Sequence, residues 1–323
     1  MAIHKLSVAL CTHNGSRFLR DQLESIAAQT RIPDELIVSD DGSTDSTGQI
    51  VADFARQAPF PVRWHTHPTP TGSTENFEKA ITLCEGDIIA LSDQDDVWLP
   101  DRLQATESAF QSDAGAGAFF SDAEIVDDSL NPLGYRLRDV VRFGRSEQDD
   151  MRQGQAVPLL LRRNVVTGAT LAFRSEFRKL ILPIPEGWVH DAWIALLIGA
   201  RSKLTFESRP LIKYRQHSSN QIGALKRGFG EQLEDASAPH AMVYATVAAN
   251  FAVARERLLG AQALAISPEI IRLFEAKIAH MKARAALPHS RIRRLPVALR
   301  ELAAGRYHCY SNAWKSFARD LWF

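Results

Sequence analysis

Short apolar runs alternate with amphipathic stretches through the first third of the chain. Leu6–Cys11, Glu35–Ser39, Val62–Thr66 and Asp87–Ser92 read as strands. Arg17–Gln29, Asp45–Gln57, Thr74–Cys84 and Pro100–Gln111 carry helical spacing between and after them. Repeated strand–helix units of this length predict right-handed crossovers and an α/β fold with a doubly wound, mostly parallel sheet. Ala118–Ser121 adds another strand, whereas Asp127–Asp150 is polar and turn-rich and reads as a loop or partly ordered flap. Farther on, Val165–Phe173 has a strand pattern, Asp191–Ala200 a helical one, and Leu204–Glu207 and Leu211–Tyr214 read as two short strands. From Glu231 the chain is rich in Ala, Leu and Arg with helical spacing, interrupted by Pro288 and Pro296. The expected organisation is a sheet domain over 1–223 and a C-terminal helical appendage over 224–323.

The chemistry lies where the strands end. Open α/β sheets bind ligands at the carboxyl ends of their strands. The fourth strand runs directly into Ser92-Asp93-Gln94-Asp95-Asp96-Val97-Trp98, with three carboxylates in four positions. Anions held that close repel and call for a cation, and hard oxygen ligands select Mg²⁺ or Mn²⁺, commonly shared with a substrate's phosphates. The plainer reading of an isolated Asp-x-Asp is an acidic helix cap. A second acidic pair, Asp40-Asp41, ends the second strand before Gly42-Ser43-Thr44-Asp45, and makes two chance caps on one sheet less credible. A carboxylate there can accept from a nucleobase N–H or a ribose hydroxyl. The first strand ends in Cys11-Thr12-His13-Asn14-Gly15, which on its own serves as well for a helix cap as for a ligand contact.

Taken in order, Thr12-His13-Asn14, Asp40-Asp41-Gly-Ser-Thr-Asp45 and Ser92-Asp93-Gln-Asp95-Asp96-Val-Trp98 resemble the inverting glycosyltransferases of family 2, which have the GT-A fold. Gly72-Ser-Thr-Glu-Asn76-Phe77 is similar to the nucleotide-binding region of that family, and the resemblance spans roughly residues 5–223. It implies that Thr12, Asn14, Asp40, Asp41, Asn76 and Asp93 surround the nucleotide and that Asp95 ligates the metal, with Asp93 on the ribose or the metal. Gly187-Trp188-Val189-His190-Asp191-Ala192-Trp193 resembles the His-Asp-Trp of bacterial rhamnosyltransferases and makes Asp191 the candidate general base. Without the resemblance, Asp191 reads as a first-turn carboxylate on a helix dipole. Trp188 and Trp193 are expected to divide between a core role and a sugar-stacking one. Tyr214-Arg215-Gln216-His217 is similar to a Tyr-Arg-x-His of the family, placing Arg215 and His217 on the diphosphate and His217 on the metal as well. The implied activity is metal-dependent, inverting hexosyl transfer with Mg²⁺ or Mn²⁺. The implied donor is a dTDP- or UDP-sugar, rhamnose among the sugars, and the acceptor a cell-surface glycan or lipid-linked hydroxyl. Two other classes compete. A sugar nucleotidyltransferase would carry a Gly-rich, basic loop after the first strand, and none is present; an inactive nucleotide-sugar-binding protein would not need Asp93, Asp95 and Asp191 together.

Composition adds two points. Lys and Arg balance Asp and Glu at 38 each, but Lys277–Phe323 holds ten Lys and Arg against two acids, a local net charge of +8. Such a tail is a solvated helical face or a site for an anionic partner. Its Trp314, Phe317, Leu321, Trp322 and Phe323, interleaved with Arg and Lys, point to an anionic membrane surface rather than nucleic acid. Cys11, Cys84 and Cys309 are widely spaced and read as reduced thiols. No signal-peptide pattern precedes the first strand, so the expected location is cytoplasmic, peripheral to the inner face of a bacterial membrane.

Overall fold

A computed structural model describes residues 4–217, 240–261 and 266–322. The expected boundary at 223/224, the start of the helical region at Glu231 and the terminal Phe323 lie outside them. The chain divides into two compact units, one of Met1–Gly154 with Val166–Leu225, the other of Gln155–Val165 with Lys226–Phe323.

The first unit is built on a nine-stranded sheet. Its parallel part comprises β1 (Leu6–Thr12), β2 (Glu35–Asp40), β3 (Val62–Thr66) and β4 (Ile88–Ser92), in the order β3-β2-β1-β4. β1, β2 and β4 are buried along their whole length, as expected of strands covered on both faces. Alternate residues Leu6, Val8 and Leu10 share one apolar cluster with Leu36, Val38, Ile88 and Ala90. Helices α1 (Leu19–Ala27), α2 (Thr47–Ala55) and α4 (Arg102–Ser112) close that cluster through Leu23, Val51 and Leu103. α3 (Ser73–Leu83) packs on β1 and β2.

Beyond β4 the sheet is mixed. β8 (Leu171–Arg174) runs antiparallel to both β4 and β6 (Ala116–Val126), and β6 is parallel to β9 (Lys203–Arg215). The short β5 (Val97–Trp98) pairs antiparallel with β9. The parallel winding therefore stops at β4.

The structure differs from the sequence expectation in several places. Asp127–Asp150 is ordered, with β7 (Pro132–Arg136) pairing antiparallel with β6, and helices α5 (Leu137–Val140) and α6 (Arg145–Arg152) following. β7 is almost wholly exposed, so no apolar alternation marks it. The strand expected over Val165–Phe173 shrinks to β8 because Gly168–Thr170 closes a 3₁₀ turn before it. The two strands expected between Leu204 and Tyr214 are one, β9, whose register against β6 shifts near Pro210.

The second unit gathers a helix over Ala156–Arg162 with helices Pro268–Ala285 and Arg306–Tyr310. His240–Gly260, Arg291–Ala303 and Ala313–Trp322 complete it among the described residues. No helix among the described residues is long and apolar enough to cross a membrane.

Candidate active site

The strand order reverses between β1 and β4, and the acidic segments meet at the carboxyl ends of β2, β1 and β4. Thr12 lies in register with Asp40, and its Oγ1 donates to Asp40 Oδ1 at 2.7 Å. Asp40 is buried and also accepts from the backbone N–H (2.9 Å) and hydroxyl (2.5 Å) of Ser43. Asp41 accepts from the N–H groups of Thr71 (2.6 Å) and Gly72 (2.9 Å). Both carboxylates are thus occupied in holding the loops after β2 and β3. Asn14 is exposed, with a left-handed φ of 46°, and its Oδ1 accepts the Thr44 N–H at 2.9 Å. Asn76 is buried, with Nδ2 donating to the Thr12 carbonyl at 3.3 Å.

At the end of β4, Gln94 clamps His13 from both sides. Its Oε1 accepts the His13 N–H at 2.9 Å and its Nε2 donates to the His13 carbonyl at 3.0 Å. This fixes the ends of β1 and β4 together and leaves the flanking Asp93 and Asp95 half-buried at the cleft. Among the described residues the Asp93 carboxylate has no hydrogen-bond donor. Burial, then the charges of Asp95 and Asp191, push it up to about 7, with Arg102 opposing. Asp96 is buried, accepts the Arg215 N–H at 3.0 Å through Oδ1 and leaves Oδ2 unbonded. Burial and the charges of Asp95 and Asp93 raise it above the usual carboxylate range.

A buried cation lies near this cluster. Arg102 is 2% exposed, donates to the carbonyls of Ala169 (2.6 Å) and Leu91 (3.0 Å), and lies 4.0 Å from the Trp98 ring centroid. Burial lowers it to about 9, while Asp96 and Asp93 pull the other way. Nothing in the sequence marks Arg102, which reads as an ordinary first-turn helix residue.

At the end of β9, His217 Nε2 stands 2.9 Å from Asp95 Oδ2. Arg215 is fully committed within the protein fold. Its Nε donates to the Asp95 carbonyl at 2.7 Å, one terminal nitrogen to Asp21 at 2.8 Å and the other to the Asp128 carbonyl, and the guanidinium lies over Phe18. These contacts make Arg215 a brace for the acidic turn; Asp21, Phe18 and Asp128 carried no sequence signal.

The helix His190–Gly199 packs on β6 and β9 and carries Asp191 in its first turn. Every other residue of this helix is buried, so the core fixes the helix and Asp191 alone reaches the cleft. Its Oδ2 accepts the Gly168 N–H at 3.1 Å, and its charge is felt at Asp93. Trp193 is fully buried with Nε1 donating to the Ile181 carbonyl at 2.7 Å, which makes it the core aromatic; Trp188, 5.3 Å away, is half-exposed. His190 stacks on Phe77 at 4.1 Å with neither ring nitrogen bonded.

Burial drives His190 down to about 3, whereas an unfolded histidine titrates near 6.5. Its folded value is depressed, so its contribution to stability is complete above about pH 6.5 and is lost as pH falls from there toward 3. Unfolding free energies from urea titrations should decline over that window, by up to about 1.4 kcal/mol per pH unit from this group, and His190→Phe should flatten the decline. An equal slope in both proteins would show that His190 is not its source.

Two carboxylates and an imidazole, one carboxylate without a donor among the described residues, have the donor chemistry of a hard divalent cation's ligands. Among the described residues no group of three or more His, Cys, Asp or Glu side chains is placed to hold a metal ion. Mg²⁺ and Mn²⁺ need none, since one or two carboxylates commonly share them with substrate phosphates and water.

Known proteins resemble this chain over most of its length. Residues 7–167 match the family model described as Glycosyl transferase family 2. An uncharacterized glycosyltransferase of Nostoc sp. is 31% identical over 234 residues, covering 71% of this chain and 70% of that protein. The dTDP-rhamnosyl transferase RfbG of Shigella flexneri is 27% identical over 230 residues, 67% of this chain and 74% of the relative. Among solved structures, TarS 1–349 of S. aureus in complex with UDP-GlcNAc superposes with a TM-score of 0.55 at 15% identity, over 95% of this chain and 89% of that one. The mannosyltransferase PcManGT from Pyrobaculum calidifontis, in complex with GDP-Man and Mn²⁺, gives 0.54 at 17% identity, over 94% and 77%.

Proposed function

The chain belongs to glycosyl transferase family 2, and from that membership we propose that it moves a sugar, with inversion, from a nucleoside-diphosphate-sugar to a hydroxyl of a cell-surface glycan or lipid-linked acceptor. The observation that carries the reading is the convergence of Asp93, Asp95 and Asp191 at one cleft, with no hydrogen-bond donor to the Asp93 carboxylate among the described residues. Asp95, Asp93 and His217 would hold Mg²⁺ or Mn²⁺. A divalent cation there supplies charge neutralisation for the departing diphosphate.

The chain's own groups do the rest. The Thr12–Asp40 pair, Asn14 and Asn76 form the wall against which the base and ribose lie, while Asp41 holds the Thr71–Gly72 backbone in place. Arg215 keeps the Asp95–Asp96 turn rigid, and His217 addresses the diphosphate. Asp191 accepts the proton of the acceptor hydroxyl as its oxygen bonds to the anomeric carbon. The bond from that carbon to the diphosphate oxygen breaks with its electron pair, and the nucleoside diphosphate leaves. One displacement on the face opposite the leaving group inverts the centre, and no covalent enzyme intermediate is required.

The relative named as a dTDP-rhamnosyl transferase supports dTDP-rhamnose as the donor. Incubating the protein and Mn²⁺ or Mg²⁺ with a panel of dTDP-, UDP- and GDP-sugars, with a glycan acceptor extract, checks this. The expected result is release of dTDP from dTDP-rhamnose above every other donor, with the opposite anomer in the product by NMR. Preferential use of a UDP- or GDP-sugar would refute the rhamnose assignment, and a retained anomer would refute single displacement. Tight nucleotide binding without turnover under any acceptor would favour the inactive binding protein.

A further inference from the structure

A helix of a water-soluble bundle normally turns its apolar stripe inward. Two helices of the second unit do the reverse. In Arg291–Ala303 the buried residues are Ala298 and Glu301, whereas Ile292 is 84%, Leu295 44% and Leu299 47% exposed. The spacing of these three puts them on one face. In Ala313–Trp322 the buried residues are Ser316 and Asp320, whereas Trp314 is 61% and Trp322 68% exposed.

The inversion has a structural cause. Beside an apolar cluster at Tyr244, Ala248 and Met281, the interior of this unit holds a polar network that needs both carboxylates. Glu301 meets His280 at 2.8 Å and Arg306 at 2.9 Å. Asp320 accepts from Arg284 and Tyr307, each at 2.7 Å. Turning these acids inward leaves the apolar sides of both helices outside. It also strips the surface of negative charge. Glu301 and Asp320 are the only acids of Lys277–Trp322, so every ionised side chain there that reaches solvent is cationic. Arg291, Arg293 and Arg300 are exposed around the apolar stripe, and Arg291 lies 5.9 Å from the Trp322 ring centroid, joining the two faces.

We propose that the outward faces of Arg291–Ala303 and Ala313–Trp322 form a docking surface for an anionic lipid membrane. Apolar and Trp side chains flanked by Arg match the interfacial region of a bilayer, where acyl chains lie beneath anionic headgroups. A second copy of the chain is a poorer occupant, because apposing the same face would bring the arginines together. The anchors differ from those expected of the sequence. Phe317 is half-buried against Tyr307, and Ile292, Leu295 and Leu299 take its place. This inference stands on the helices alone and does not depend on the sugar chemistry.

The test is co-sedimentation of the full chain with vesicles of phosphatidylcholine, with and without phosphatidylglycerol. The wild type should pellet only with the anionic vesicles and should be released by salt at about 1 M, where the Debye length is ~3 Å. Arg291→Gln/Arg293→Gln/Arg300→Gln should weaken binding about fivefold per arginine, following ~1 kcal/mol for each. Ile292→Ser/Leu299→Ser should weaken it at least tenfold with an unchanged thermal melt. Equal binding to both vesicle types would overturn the proposal, as would no binding to either. So would a concentration-dependent dimer in ultracentrifugation that the same substitutions dissolve, which would assign the face to a second copy.

Discussion

Asp191→Asn is expected to slow sugar transfer by two to four orders of magnitude, the range of a lost general base, while nucleoside diphosphate binds as tightly as in the wild type. The replacement preserves shape, and an asparagine oxygen can still accept the Gly168 N–H that Asp191 takes at 3.1 Å. The helix is held by the burial of all its other residues, so the melting temperature should hardly move. What disappears is a group able to take the acceptor proton. Transfer assays with saturating donor and acceptor, beside a nucleotide titration, separate the two effects. Normal turnover in the variant would remove Asp191 from the mechanism, and loss of nucleotide binding would make it a structural residue of the cleft.

Asp320→Ala should destabilise the second unit by about 3–5 kcal/mol, the cost of leaving a buried charge without its partner. Arg284 is 3% exposed, with Asp320 at 2.7 Å and the Tyr244 ring centroid 3.9 Å away. Removing the carboxylate strands that guanidinium and takes an acceptor from Tyr307 and Tyr244. Guanidinium unfolding followed by Trp fluorescence reads the change through Trp314 and Trp322. Arg284→Leu/Asp320→Leu, which removes both charges, should recover much of the loss. A single variant as stable as the wild type would show that the network does not hold the helices in their inverted orientation.

The parallel half of the fold was legible because β1, β2 and β4 are buried on both faces and so appear as unbroken apolar runs. The hairpin strand β7 was not, because an exposed strand carries no alternation, and Pro210 disguised β9 as two strands. Motif order located Asp93, Asp95 and Asp191 at strand and helix ends. It did not say which carboxylates are already engaged: Asp40 and Asp41 spend their oxygens on neighbouring loops, and Arg215 spends its donors on Asp95, Asp128 and Asp21. Spacing records where a side chain starts and not what it reaches. Arg102 shows the same limit, since a buried cation beneath an acidic cluster is a tertiary fact. The basic tail was visible as composition, but only the fold shows that its two acids turn inward.

The proposed mechanism rests on a metal–diphosphate site at Asp95 beside Asp93 and His217. Calorimetric titration of dTDP and UDP into the wild type and Asp95→Ala, each with Mn²⁺ and with EDTA, tests it most directly. Mn²⁺ should tighten nucleotide binding at least tenfold in the wild type and have no such effect in Asp95→Ala. Equal affinity with and without Mn²⁺ in the wild type, or an undiminished Mn²⁺ effect in the variant, would contradict it.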